Sequence, residues 1–287
     1  MSRLAYVNGR FVRQAEAGVS IEDRGYQLGD GIYEVWAVMD GKLADAEGHF
    51  ARLERSLGEL RIPMPMSRAA LTIALRETVR RNRVRHGIVY LQVTRGVARR
   101  DHAFPNPAVT PTVVITARAT SAEAAQARAD KGVGVITVPE NRGGRCDIKA
   151  IDLLPNVLAK QAAKEAGAFE AWFIDTEGLV TEGASSNAWI VDQDGVLRTR
   201  DIGANILRGV TRLSLIDVAR EAGYRVEERP FTVQEAKAAR EAFLTGAGAL
   251  VMPIVTIDGQ PVANGHPGEV ARTLRAAYIR RAAETAA

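Results

Sequence analysis

The chain has 287 residues, of which 46% are hydrophobic and 25% are charged, as in a soluble globular protein. This length accommodates one large domain or two domains of ordinary size. No apolar run is long enough for a membrane span, and the N-terminus lacks the apolar region of a secretory signal, so we expect neither membrane insertion nor export. The single cysteine, Cys146, excludes an intrachain disulfide and suits a cytoplasmic location.

The charge balance is mildly basic, with a net charge of +4 and a pI of about 9.4. The arginines are spread through helical patterns and form no nucleic-acid-binding motif, so we expect no nucleic-acid partner. Four histidines and one cysteine show no metal-ligand spacing, and we predict no metal site.

Strand and helix patterns alternate along the chain, which predicts an α/β (α+β) architecture. The predicted strands are 5–7, 10–12, 31–39, 42–44, 87–94, 112–117, 133–138, 169–175, 186–191, 224–228 and 241–245. The predicted helices are 47–61, 68–82, 155–166, 210–222, a short one capped by Thr232 and Glu235, and 268–285.

The polar, alanine-rich stretch 119–131 is typical of a short helix or linker and divides the chain. We predict an N-terminal α/β domain over 1–118 and a larger C-terminal domain over 132–287. Chemistry is expected in the cleft between two such domains.

A central stretch, Arg145–Gln161, contains the residue on which the functional prediction rests, Lys149. Because apolar Ile148, Ala150 and Ile151 flank it, we expect a partly desolvated amine that is suited to Schiff-base chemistry. Taken alone, a surface lysine before a helix is the commoner interpretation. The prediction therefore depends on four other stretches.

The first two of these stretches lie in the N-terminal half. Glu22–Glu34 contains three glycines within seven residues, which indicates tight backbone packing or positive φ angles, or else an ordinary turn. Val93–Pro105 places Arg100 and His102 on one loop, where both could bind a carboxylate. A solvated basic loop is the alternative.

The other two stretches lie in the C-terminal half. Val180–Asn187 carries Glu182 between a strand and small polar residues, a position that also suits a surface turn. Gly209 precedes a predicted helix, so the amides of Val210 and Thr211 can bind a phosphate. Many helices begin this way, and this pattern is weak on its own.

Together, a lysine, an acid, an anion-binding helix start and a carboxylate clamp match the chemistry of pyridoxal 5′-phosphate (PLP). The sequence resembles the fold-type IV PLP-dependent transaminases, and among them the D-amino-acid aminotransferases. The resemblance covers nearly the whole chain. It is carried, in this order, by Glu22–Glu34, Arg100 with His102, Arg145–Lys149, Leu158–Gln161 and Thr181–Gly183.

The resemblance implies a set of cofactor contacts. Lys149 would bind PLP covalently and carry the proton between the substrate and the cofactor, and Glu182 would pair with the pyridine nitrogen. The remaining contacts it implies are Arg52, Val210 and Thr211 with the phosphate and Leu207 with the ring face.

The resemblance also implies how substrate binds. Tyr33 would line the site, and Arg100 and His102 would hold the α-carboxylate, reaching in from the neighbouring subunit of a homodimer. The implied fold is a small N-terminal α/β domain with a larger C-terminal pseudo-barrel domain.

Two stretches depart from the pattern of this family. Gly246-Ala247-Gly248 stands where many relatives have hydroxyl side chains near the phosphate, so Ala247 and its neighbours offer only backbone amides. We therefore expect weaker retention of PLP. Asn141–Gly144 replaces bulkier apolar residues before the lysine, which could widen the substrate range.

The predicted activity is transamination of D-amino acids such as D-alanine with 2-oxoglutarate or pyruvate. The alternatives within the fold are a branched-chain L-amino-acid or (R)-amine transaminase and an aminodeoxychorismate lyase. A PLP carrier without activity and a structural α/β protein without a cofactor are alternatives of other classes.

Overall fold

A computed structural model describes residues 3–286. The chain divides into two compact units. The first unit runs to Ser121 and also contains Ile148–Asp152, and the second comprises Ala122–Asp147 and Leu153–Glu284. This division assigns Lys149 to the first unit, whereas the sequence placed it in a C-terminal domain.

The first unit is a six-stranded antiparallel sheet with helices. Its strands are β1 (Leu4–Val7), β2 (Arg10–Arg13), β3 (Gly31–Met39), β4 (Lys42–Leu43), β5 (Gly87–Thr94) and β6 (Thr112–Ala119), in the order β2-β1-β6-β5-β3-β4. Its helices are α1 (Arg24–Leu28), α2 (Ala46–Glu59) and α3 (Arg68–Arg81), with a 3₁₀ turn at Gln14–Glu16.

The core of this unit forms between the sheet and the apolar faces of the helices. On α2, Phe50, Leu53 and Leu57 follow helical spacing and are buried, and Phe50 packs against Trp36 of β3. The start of α3 is fixed by Ser67, whose hydroxyl accepts a hydrogen bond from the Ala70 amide at 3.3 Å, as its N-cap role predicts.

The glycines of Glu22–Glu34 serve close packing as well as a turn. A Cβ at Gly25 would overlap the side chain of Thr94, and one at Gly31 would press on the backbone of β5. Gly29 has a φ of 68° at the end of α1. The prediction of tight packing and a positive φ in this stretch is confirmed.

The second unit is built around a nine-stranded mixed sheet. Its strands are β7 (Val133–Pro139), β8 (Glu170–Ile174), β9 (Val180–Gly183), β10 (Asn187–Val191), β11 (Leu197–Thr199), β12 (Val226–Glu228), β13 (Glu241–Gly246), β14 (Leu250–Ile257) and β15 (Gln260–Pro261). Its helices are α4 (Ala122–Lys131), α5 (Leu154–Glu165), α6 (Val210–Glu221), α7 (Val233–Lys237) and α8 (Glu269–Glu284).

The order of this sheet is β12-β11-β10-β13-β14-β7-β8-β9, with β15 paired to β14. The terminal strand β9 returns to lie beside β10, so the sheet curls on itself. The predicted α/β fold with a pseudo-barrel domain is confirmed. The capping box of α7 is also present, formed by Thr232 and Glu235.

Four strands of this sheet, β9, β11, β14 and the short β15, were not predicted. β9 is buried along its length although it contains Thr181 and Glu182, so it shows no alternation of apolar and polar residues. Among residues 3–286, no helix has the length and apolar character needed to cross a membrane.

Candidate active site

Lys149 lies on a short segment that is bonded to β3 of the first unit. The Tyr33 amide donates to the Lys149 carbonyl at 3.0 Å, and the Ile151 amide donates to the Gly31 carbonyl at 3.1 Å. Ala150 forms an isolated antiparallel bridge with Ile32 between these two bonds. The backbone of Lys149 is therefore held as though it were part of the sheet.

The Lys149 ammonium lies over an aromatic side chain. Its Nζ is 4.2 Å from the ring centroid of Tyr33, a cation–π distance. The Tyr33 ring stacks on Tyr90 at 5.6 Å, and burial, with the neighbouring Tyr33, raises the pKa of Tyr90 to about 12. The structure thus brings the predicted nucleophile together with the predicted substrate residue Tyr33.

Arg52 on α2 is fixed by a buried carboxylate that was not predicted. Its guanidinium donates to both oxygens of Glu34, at 2.9 and 2.5 Å, and Nδ1 of His49 lies 3.0 Å from the same carboxylate. Burial alone would raise the pKa of Glu34, but the charge of Arg52 and the contact with His49 hold it well below its usual range. Burial lowers the pKa of His49. Glu34 therefore holds the Arg52 side chain in one orientation.

Arg100 and His102 are exposed on the loop between β5 and β6. This loop belongs to the first unit, as Lys149 does.

In the second unit, Glu182 of β9 is buried and receives hydrogen bonds from three neighbours. The Asn187 side-chain amide donates at 3.0 Å, the Leu207 backbone amide donates to both oxygens at 3.1 Å, and Nη1 of Arg142 completes an ion pair. These donors stabilise the ionised carboxylate and orient it.

Arg142 bridges Glu182 and a second carboxylate, Glu140. It donates to Glu140 through Nε at 2.9 Å and Nη2 at 2.6 Å, and its guanidinium carbon lies 4.4 Å from the centroid of the Phe173 ring. Burial would lower the pKa of Arg142, but the two carboxylates raise it. In the sequence Arg142 stands out only as part of a departure from the family pattern, and its contacts with Glu140 and Glu182 were not predicted.

The helix α6 begins at Val210, as predicted, with Gly209 at its N-cap. Within the described residues no side chain caps this helix, and Val210 and Thr211 are buried at its first turn. Its first amides and the helix dipole therefore remain suited to an anion. A Cβ at Gly209 would overlap the Asn187 side chain, which explains the glycine.

Ala247 lies in the turn between β13 and β14. The Ala249 amide closes the turn on the Gly246 carbonyl at 3.1 Å, and buried Arg275 of α8 binds the carbonyls of Ala249 and Val251. The hydroxyl of Thr245 accepts a hydrogen bond from Trp189. At Ala247 itself the backbone provides the only polar groups.

Asn187 joins the predicted acid to the predicted phosphate site. Its side-chain nitrogen donates to Glu182 and to the Leu207 carbonyl, each at 3.0 Å, and its oxygen faces Gly209. A hydrogen-bonded carboxylate and an uncapped helix start thus lie in the same compact unit. That donor and acceptor set fits a protonated pyridine ring that carries a phosphate.

A family model described as "Amino-transferase class IV" matches residues 31–257. The chain is 42% identical to a D-alanine aminotransferase of Bacillus licheniformis over 270 residues, which cover 94% of both chains. Among solved structures, a branched-chain amino acid aminotransferase of Escherichia coli matches with a TM-score of 0.91 and 25% identity, over 98% of this chain and 95% of that one. The branched-chain enzyme of Thermoproteus uzoniensis, solved with norvaline, matches with a TM-score of 0.83 and 27% identity, over 98% of this chain and 94% of that one. A further branched-chain enzyme, solved with pyridoxamine 5′-phosphate, matches with a TM-score of 0.88 and 30% identity, over 98% of this chain and 94% of that one.

These matches place the chain in the class IV aminotransferase family. The predicted resemblance to fold-type IV transaminases is thereby confirmed, as is the prediction of an enzyme.

Arg142→Met tests the electrostatic role of this arginine. The substitution removes the cation that Glu140 and Glu182 share. We therefore expect the free energy of unfolding to fall by about 3 kcal/mol at pH ~7. The ion pair of Arg145 with Asp147 is more exposed, so Arg145→Met should cost under about 1 kcal/mol. Urea unfolding of both variants provides the measurement.

The same comparison has a predicted pH dependence. Burial would raise the pKa of Glu140, but Arg142 holds it below its ordinary 4.5, so its stabilising effect is complete above that value and is lost as the pH falls. In Arg142→Met, Glu140 should take up its proton at a higher pH than in wild type. The difference in unfolding free energy between the two proteins should therefore narrow as the pH falls towards ~4.5. A difference in unfolding free energy that does not change with pH would contradict this role of Arg142. Equal losses of stability in Arg142→Met and Arg145→Met would contradict it too.

Proposed function

We propose that the protein is a cytoplasmic, PLP-dependent aminotransferase that moves the amino group of a D-amino acid such as D-alanine to a 2-oxo acid. The observation that carries the proposal is the 42% identity to a D-alanine aminotransferase along 94% of both chains. The pairing of Lys149 with Tyr33 and of Glu182 with Arg142 supports it. 2-Oxoglutarate and pyruvate are the proposed acceptors.

Each predicted cofactor residue has a proposed role. Lys149 supplies the amine for covalent attachment, and Glu182 keeps a proton on the pyridine nitrogen. The phosphate contacts are assigned to Arg52, to the backbone of Ala247 and to the amides of Val210 and Thr211. Leu207 is assigned to the ring face, next to the amide by which it binds Glu182. When bound, PLP supplies an electron sink for the negative charge that develops at the substrate Cα.

Proton transfer is assigned to Lys149. Once its amine is released by the incoming substrate, Lys149 would take the proton from the substrate Cα and return it to the carbon on the other side of the substrate nitrogen. Water would then release the first oxo acid, and a second oxo acid would enter. The first half of the reaction stores the amino group and the second half delivers it, which predicts ping-pong kinetics. The backbone bonds of Lys149 to β3 hold its Cα in place through both halves.

The stereochemical preference is assigned to Arg100 and His102. Two donors on one loop bind the α-carboxylate, and its position relative to Lys149 decides which enantiomer presents its hydrogen to the amine. The branched-chain enzymes with the same fold support an alternative, transamination of L-amino acids. The Arg100–His102 loop favours D-amino acids over that alternative.

A homodimer is part of the proposal. Five apolar side chains of the first unit are exposed on α1, the segment before it, and the loop with Arg100, and a group of exposed apolar side chains is typical of an interaction surface. They are Val19, Ile21, Tyr26, Val97 and Phe104. A second copy of this chain would cover these residues and bring the loop to its neighbour's site.

The oligomeric state is tested by sedimentation with matched variants. We expect the wild type at twice the 31.0 kDa chain mass, and Ile21→Glu shifted towards monomer because a charge would enter the interface. Ile73 is also exposed but lies on α3, so Ile73→Glu should remain dimeric. A monomeric wild type would remove the dimer from the proposal, and equal effects of both variants would show that the surface around Ile21 is not the interface.

The turn at Ala247 predicts weak retention of PLP. A hydroxyl near the phosphate adds a hydrogen bond to a charged group, so Ala247→Thr should lower the PLP dissociation constant about tenfold. Equilibrium dialysis of both proteins measures the two constants, and equal values would show that the turn does not limit retention.

The proposed activity is tested by titrating the holoenzyme with D-alanine, L-alanine and L-leucine. D-alanine should change the absorbance of the bound cofactor and release pyruvate, and Lys149→Ala should show no turnover, since it lacks the amine. Lys164→Ala, a change at an exposed residue of α5, should match wild type. A response to L-leucine without one to D-alanine would favour the branched-chain alternative. Turnover by Lys149→Ala would show that Lys149 is not the nucleophile.

A further inference from the structure

The exposed loop between β5 and β6 is held by one buried guanidinium. Arg24, at the start of α1, has a side chain that is only 3% exposed. Its Nη1 donates to the Asp101 carbonyl at 2.5 Å, and its Nη2 to the His102 carbonyl at 3.4 Å. These two carbonyls belong to the residues that follow Arg100, so Arg24 binds the backbone of the proposed carboxylate clamp itself.

The orientation of Arg24 is set from its other side by Asp30. Nε of Arg24 donates to Asp30 Oδ2 at 2.7 Å, and Arg95 binds the same carboxylate through Nε at 2.7 Å and Nη2 at 3.0 Å. Burial would raise the pKa of Asp30, but the two arginines lower it, so the group is ionised at neutral pH. A planar guanidinium fixed along one edge presents its remaining donors in a defined direction.

Backbone bonds fix the first residues of the same loop. The Arg24 amide donates to the Gly96 carbonyl at 2.9 Å, and the Ala98 amide donates to the Glu22 carbonyl at 3.2 Å. Gly96 has a φ of 112°, and a Cβ there would overlap the Thr110 carbonyl, so the two ends of the loop are close together.

Arg95 contacts the same loop at a second point, after His102. Its guanidinium carbon lies 3.6 Å from the centroid of the Phe104 ring, and its Nη2 donates to the Leu60 carbonyl at 2.7 Å. The stretch that carries Arg100 and His102 is thus bound at Gly96, at Asp101 and His102, and at Phe104. The two clamp side chains remain exposed between these points.

We propose that Arg24 is a positioning residue for substrate recognition, which sets where Arg100 and His102 hold the α-carboxylate by binding the backbone between them. The inference rests on the proposed function of that pair. It adds that the choice between D- and L-substrates depends on a residue that does not touch the substrate. A clamp that moves relative to Lys149 binds carboxylates less tightly and discriminates less between enantiomers.

The test uses the holoenzyme and the variants Arg24→Gln and Arg24→Lys. Propionate has the carboxylate of alanine without its amine, so it binds without reacting, and its dissociation constant reports on the clamp alone. We expect Arg24→Gln to raise this constant and the KM for D-alanine about tenfold, with a smaller change in kcat and a lower ratio of D- to L-alanine turnover. Arg24→Lys, which keeps the charge, should fall between wild type and Arg24→Gln.

Arg85→Gln is the matched control. Arg85 belongs to the same unit and forms an exposed ion pair with Asp40, so this variant should match wild type in every measurement. Hydrogen exchange gives a readout that is independent of turnover: the Ala98 and Ala103 amides should exchange faster in Arg24→Gln and not in Arg85→Gln.

Arg100→Met separates the two ways in which the inference can fail. If Arg100→Met leaves the affinity for propionate unchanged, the proposed clamp is wrong, and the role of Arg24 fails with it. If Arg100→Met weakens propionate binding and folded Arg24→Gln does not, only the positioning role is wrong. Should Arg24→Gln fail to fold, Arg24→Lys decides: wild-type affinity and exchange in that variant would overturn the inference.

Discussion

The site depends on the attachment of five residues, Ile148–Asp152, to β3. Two backbone hydrogen bonds, from the Tyr33 amide to Lys149 and from the Ile151 amide to Gly31, place the lysine in the first unit although its flanking chain belongs to the second. Backbone bonds of this kind leave little freedom at Cα, so the sheet fixes the point from which the lysine side chain extends. Tyr33 is a residue of β3. Its amide binds the Lys149 carbonyl, and its ring lies against the Lys149 ammonium.

Three residues with proposed roles in binding are each oriented by a carboxylate–arginine pair. Glu34 orients Arg52, Asp30 orients Arg24, and Arg142 orients Glu182. For Glu34 and Asp30, burial would favour the neutral acid, and the arginines keep each carboxylate ionised and directed. Such pairs contribute geometry more than stability, since the cost of removing two charges from water offsets much of their attraction.

Most strands and helices followed from periodicity and capping residues, because their apolar faces are regular: β3 has the bounds that were predicted, and α6 begins at Val210. β14 was missed because Pro253 interrupts its pattern; the strand tolerates it since pairing with β7 begins only at Ile254. Lys149 and Glu182 stood out through their motifs. Arg24 and Arg142 did not, because their partners, such as Asp101 and Glu182, lie far away in sequence and only the fold brings them into contact.

The central claim is that the Lys149 amine carries the cofactor. Borohydride reduction of the holoenzyme, followed by digestion and peptide mass spectrometry, tests it most directly, because reduction makes an imine bond between lysine and PLP permanent. We expect the phosphopyridoxyl group on the peptide that contains Lys149, in proportion to bound PLP. The same group on Lys160 or another lysine, with Lys149 unmodified, would contradict it.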